Sequence, residues 1–216
     1  MTTVFEREIE RGTGVRYAEK IVKHVNIIVF DDFMALDAFG PAEVFAESDA
    51  EYDIRYYSAA GGPVTCSIQN TIETEKTDAI QQKDILLIPG GKGTRQLVDN
   101  ENFIKKLKTL AEESKYVLCV CTGSGLLSKT GLLDGRKATS NKKAWEWVTA
   151  QNTNVHWIKK ARWVVDGKYY TSSGITAGID MCLGFISDTI HREAAKKIGC
   201  ALEYVWNENK NIDPFY

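Results

Sequence analysis

The sequence predicts an α/β fold with a mostly parallel central sheet and helices on both faces. Three observations carry this. Apolar runs at 25–30, 84–88 and 116–120 are continuous rather than alternating, as suits strands buried on both faces. Segments of helical period lie between strands, as in 102–114, where Phe103, Leu107, Leu110 and Ala111 share one face. Strand-then-helix alternation implies right-handed crossovers, with ligands at the carboxyl ends of the strands.

Residues 1–22 have no clear period and are read as an N-terminal arm or short extra helix that could pack on a second subunit. The domain is expected to span 23–208, with 209–216 as a tail. The strand at 25–30 ends at Asp31 and Asp32, and Pro41 is read as the start of the first helix, since proline suits a first turn. A strand follows at 52–58, a turn at Gly61, Gly62 and Pro63, and a short edge strand at 68–73. Pro89, Gly90 and Gly91 close the strand at 84–88. The strand ending at Cys121 turns into a helix through Thr122, Gly123, Ser124 and Gly125. A turn at 132–135, a short strand at 137–140, a helix at 142–150 and a strand at 154–157 come next. Asp166 and Gly167 join strands 162–166 and 168–172 as a hairpin. A turn at 174–178 leads to a helix at 179–191 and a last helix at 193–206.

The chain has 216 residues, 44% of them hydrophobic and 26% charged, and a net charge of −2. That suits one domain with a sizeable core. It argues against an electrostatic nucleic-acid binder and against general attraction to anionic membranes. No apolar run reaches the length of a membrane span, and the charged N-terminus is not a secretory signal. Five scattered cysteines, an odd number, suggest reduced thiols in a cytoplasmic protein.

Three turns leave the carboxyl ends of expected strands: 31–37, 89–95 and 121–125. They gather the candidate residues. Cys121, on a tight strand-turn-helix elbow, is read either as a buried structural cysteine or as a reactive thiolate favoured by the helix end. Cys119, two residues earlier, is read as core. No metal site is called for, because neither cysteine has a ligand cluster nearby in sequence, and no motif calls for a cofactor. Asp37 either caps the following helix or contacts the Cys121 sulfur to orient it and move a proton. Gly91 and Thr122 could offer backbone N–H groups to a developing negative charge. The three histidines lie elsewhere: His24 near the arm, His156 in a strand, and His191 at a helix end where a cation suits the dipole. A cysteine peptidase needs a nearby base of this kind, so the pattern argues mildly against that chemistry.

Taken together, Val120 to Ser124, Leu36–Asp37 with Gly40–Pro41, and Thr171 to Asp180 resemble the DJ-1/PfpI superfamily, nearest to its isocyanide hydratase branch. The resemblance runs over about 25–202. It implies a flavodoxin-like three-layer sandwich related to class I glutamine amidotransferases, and a homodimer. It also implies Cys121 as nucleophile on the elbow, Asp37 as the acidic neighbour and Thr122 beside the thiol. The DJ-1 and PfpI branches carry a glutamate where Asp37 stands, and PfpI members a histidine where Thr122 stands. Many relatives have a histidine and an aromatic residue at the segment where this chain has Asn141. Related AraC-type regulators add a helix-turn-helix domain; the chain ends at Tyr216 without room for one, so DNA binding is not expected.

These readings lead to a cysteine-dependent hydratase that adds water to a small electrophilic carbon, isocyanide to N-substituted formamide. The alternatives are a cofactor-free glyoxalase acting on methylglyoxal through a hemithioacetal at Cys121, a cysteine oxidation sensor, and a binding protein with an inert pocket.

Overall fold

The computed structural model describes residues 3–8 and 16–216, with side chains from residue 22 onward. Strands β1 (Thr3–Glu8) and β2 (Arg16–Ile21) pair antiparallel. Of the two readings of 1–22, arm or short extra helix, the helix is not what residues 3–8 and 16–21 form; positions 1–2 and 9–15 lie outside the described residues. The chain continues through β3 (Lys23–Ile28), α1 (Ala35–Ala46), β4 (Tyr52–Ser58), β5 (Gly62–Thr65), β6 (Thr71–Lys76) and β7 (Ile85–Ile88). Next come α2 (Thr94–Leu97), α3 (Glu101–Glu113), β8 (Tyr116–Cys119), α4 (Gly123–Lys129), β9 (Lys137–Ala138) and α5 (Trp145–Thr149). β10 (His156–Trp157), β11 (Trp163–Asp166), β12 (Tyr169–Ser172), α6 (Ala177–Thr189) and α7 (Arg192–Ala201) complete it.

Eight strands form the main sheet in the order β11-β12-β8-β7-β3-β4-β6-β5. The six inner strands are parallel, and the edges β11 and β5 are antiparallel. Helices α1, α6 and α7 pack together, as do α2 and α3 with α4. This is the flavodoxin-like α/β arrangement. All four residues of β7 are buried, as a strand covered on both faces requires. The chain leaves β3 for β4 on one side and returns with β7 on the other. The order therefore reverses at β3/β7, where a crevice opens at the carboxyl ends. An isolated bridge between Phe33 and Gly91, and the Met34 N–H donating to Gly90 O at 2.9 Å, tie the two loops there.

Several bounds differ from the sequence reading. Helix α1 starts at Ala35, so Pro41 lies inside it rather than at its start. Ala35, Asp37 and Ala38 are buried, and an acidic residue in the first turn suits the positive end of the helix. The strand expected at the edge over 68–73 falls at Thr71–Lys76 and is paired on both sides, with β5 outside it; Ile68 sits exposed in a turn with Gln69 at φ +65°. Asn141 Oδ1 accepts the Ala144 N–H at 2.9 Å, and this turn delays α5 to Trp145. Helix α7 ends at Ala201, where Glu203 takes φ +47° and the Tyr204 N–H returns to Gly199 O at 2.8 Å.

The expected tail is bound to the domain. The Arg162 N–H donates to Lys210 O at 2.8 Å and the Asp213 N–H to Lys160 O at 2.7 Å. The Asp213 side chain is buried 3.9 Å from the Arg162 guanidinium, which also pairs with buried Asp180. No described helix is long and apolar enough to cross a membrane.

Candidate active site

Cys121 follows β8 with φ +57°, a left-handed conformation that costs energy for any residue with a Cβ. Three serines hold it there. The Cys121 N–H donates to Ser173 O at 3.2 Å. Its carbonyl oxygen accepts the hydroxyls of Ser140 at 2.8 Å and Ser124 at 3.0 Å. Gly123 permits the turn: a Cβ there would lie 2.3 Å from Ile88 O. The start of α4 thus passes directly over the end of β7. This is the elbow expected at Cys121.

Asp37 enters from the first turn of α1 and is fully buried. Its Oδ2 accepts the Gly90 N–H at 3.0 Å. Its contact with the Cys121 thiol falls outside ordinary hydrogen-bond geometry, so Oδ1 is left buried without a partner while the carboxyl charge still acts on the sulfur. Burial pushes the Asp37 carboxyl up to about 7, against the opposing Gly90 N–H hydrogen bond and the nearby Cys121 thiol. Burial, and then the Asp37 charge, push the Cys121 thiol up; the Thr122 N–H and hydroxyl work against them. A standing thiolate lowered by the helix end is therefore not what this site holds. Helix α4 is only two turns long, and the sulfur is withdrawn from water.

Thr122 lies where expected, beside the sulfur. Gly91 does not present the free donor expected of it: its N–H is engaged by Thr122 Oγ1 at 3.1 Å. Thr94, also fully buried, donates to Gly91 O at 2.7 Å and lies 3.2 Å from Thr122 Oγ1. Cys119 is fully buried core, as read.

The cleft above Cys121 has a volume of about 810 Å³. Met34, Trp147 and Ile175 give it apolar walls, and Asn141 lies on its side. No histidine lines it. His24 contacts Asp84 and Asp53 at the amino end of the sheet, and His156 is exposed. His191 caps α7 by accepting the Ala194 N–H at 3.0 Å, so it serves the start of a helix rather than an end. Arg95 lies in the turn expected at 89–95, Ser140 in the strand expected at 137–140 and Ser173 just before the turn at 174–178, but no local pattern assigns them a role. The two serines meet Cys121 from segments later in the chain, and Arg95 meets Trp147 of α5.

A covered parallel sheet with a cysteine elbow at its switch-point crevice defines a class of α/β proteins built around one buried thiol. Within that class, the chain belongs to the DJ-1/PfpI family, whose model matches residues 23–188. It is 30% identical to an isonitrile hydratase of Pseudomonas putida over 182 residues, 83% of this chain and 78% of that protein. It is 35% identical to a deglycase of Thermococcus kodakarensis over 89 residues, 41% of this chain and 52% of that one. The crystal structure of a ThiJ/PfpI family protein from Pseudomonas syringae matches with a TM-score of 0.75 at 25% identity, covering 90% of this chain and 77% of that one. The family thus includes proteins named for enzymatic activities.

Proposed function

We propose that Cys121 and Asp37 act as a nucleophile and proton carrier that hydrates the terminal carbon of an isocyanide to an N-substituted formamide. The carrying observation is the buried carboxyl beside the thiol, with one oxygen unpartnered and a proton affinity near neutrality. The likeness to an isonitrile hydratase over most of both chains supports the choice of substrate, and the apolar walls suit an organic substituent.

The sulfur forms a bond to the isocyanide carbon, and the proton held by the pair goes to that same carbon. A thioimidate results, and Asp37 is left ionised. Water then adds to the thioimidate carbon. One of its protons goes to nitrogen and the other returns to the pair as the C–S bond breaks and the carbonyl forms. The Thr122 N–H and hydroxyl steady the departing sulfur. Asp37 fills the role that a histidine base fills in other thiol enzymes.

The test is formamide formation from cyclohexyl isocyanide, followed by mass spectrometry in labelled water. One labelled oxygen per product is expected from the wild type and none from Cys121→Ala; turnover by that variant rejects the reading. Lactate formed from methylglyoxal by the wild type in place of formamide would favour the glyoxalase reading. A homodimer is part of this proposal, tested by light scattering.

A further inference from the structure

Four charged side chains line the cleft above Cys121: Lys92, Arg95, Lys143 and Glu146. Their formal sum is +2, on a chain whose net charge is −2. Arg95 stands out among the arginines with described side chains. Arg55, Arg136, Arg162 and Arg192 each pair with a carboxylate. Arg95 has no carboxylate partner among the described residues. Its guanidinium stacks on the Trp147 ring, 3.9 Å from the centroid. One nitrogen donates to Thr94 Oγ1 at 2.9 Å and to Gly91 O at 3.4 Å. Stacking and these bonds fix the plane of the fork and leave its other N–H groups uncommitted. Arg95 and Cys121 line the same cleft.

An arginine so held, exposed at the cleft and with no carboxylate partner among the described residues, is suited to an anionic ligand. A planar carboxylate matches the fork. Glu146 on the same cleft disfavours a doubly charged group such as a phosphate. We propose that the substrate of the Cys121 site carries a carboxylate, bound by Arg95 with Lys92 and Lys143 at the mouth, so that an isocyano carboxylate is the substrate class. The reactive end of that class rests on the hydratase reading; the anion site does not.

Two matched reagent pairs separate these claims. Alkylation of Cys121 by iodoacetate and by iodoacetamide compares an anion with its neutral counterpart, independently of turnover. The iodoacetate-to-iodoacetamide rate ratio is expected to fall by about tenfold in Arg95→Gln, and to recover in part in Arg95→Lys. A ratio indifferent to Arg95, or a wild-type Cys121 that iodoacetate does not alkylate, overturns the anion site. The second pair is isocyanoacetate and its methyl ester. A lower KM for the acid is expected in the wild type, with that preference lost in Arg95→Gln. If neither isocyanide is hydrated while the alkylation ratio still depends on Arg95, the hydratase reading falls and the anion site stands. If both are hydrated alike and the ratio ignores Arg95, the anion site falls alone.

Discussion

The Asp37 carboxyl and the Cys121 thiol face each other in a space where neither has ready access to water. Asp37 is fully buried, takes one N–H from Gly90 at 3.0 Å, and leaves Oδ1 without a partner. Two acidic groups so placed resist losing both protons, because the second charge would sit beside the first in a poorly solvated site. In the proposed chemistry, activation of the sulfur is therefore a transfer of its proton to Asp37, not the capture of a thiolate already formed.

Asp37→Asn keeps an oxygen for the Gly90 N–H and removes the proton carrier. Isocyanide kcat/KM is expected to fall by about 100-fold or more in steady-state assays, on the scale of a lost general acid–base group. Asp37→Glu, which preserves the carboxyl, is expected to retain more activity than Asp37→Asn. Equal losses would assign Asp37 a packing role.

The same group sets a pH dependence of stability. Its folded value near 7 lies above the ordinary carboxyl value of 3.8. The folded chain therefore holds this proton where the unfolded chain has lost it. That contribution is complete below about pH 4 and disappears as pH rises through about 7. Asp37→Asn carries no such dependence, so its stability relative to the wild type should climb between pH 4 and 7 and then level off. Urea unfolding at pH 4.5, 6 and 8 checks this; a constant difference would contradict it.

Gly123→Ala would place a Cβ 2.3 Å from the Ile88 carbonyl oxygen. Neither strand β7 nor the elbow can give way without disturbing the site. A loss of about 2–4 kcal/mol in denaturant unfolding is expected, with loss of Cys121 reactivity at temperatures where the variant remains folded.

Arg162 sits between Asp180 and Asp213, all three buried. Arg162→Met would leave two buried carboxylates without their cation. Breaking such a pair costs about 3–5 kcal/mol. Thermal unfolding should show this at neutral pH, and the segment around Asp213 should become open to limited proteolysis.

Much of the fold was legible because its signals are local. Runs of apolar residues closed by Pro89–Gly90 or by Thr122–Gly123 specify buried strands and tight turns without reference to the rest of the chain. Pro41 misplaced the start of α1, since the burial of Ala35 and Asp37 against the sheet outweighs the usual position of proline. The direction of the Cys121 proton affinity was not legible either. It depends on how deeply the sulfur is covered and on a carboxyl 84 positions away. Arg95 was visible as a residue, but its role depends on Trp147 from another helix, and the three serines around Cys121 come from three separate segments.

The pairing of Asp37 with Cys121 is tested most directly by the pH dependence of Cys121 alkylation in the wild type and in Asp37→Asn. The wild-type midpoint should lie above the ordinary thiol value, and removal of the neighbouring charge should lower it by about one unit or more. Identical midpoints in the two proteins, at the value of a free thiol, would contradict a shared proton and with it the proposed chemistry.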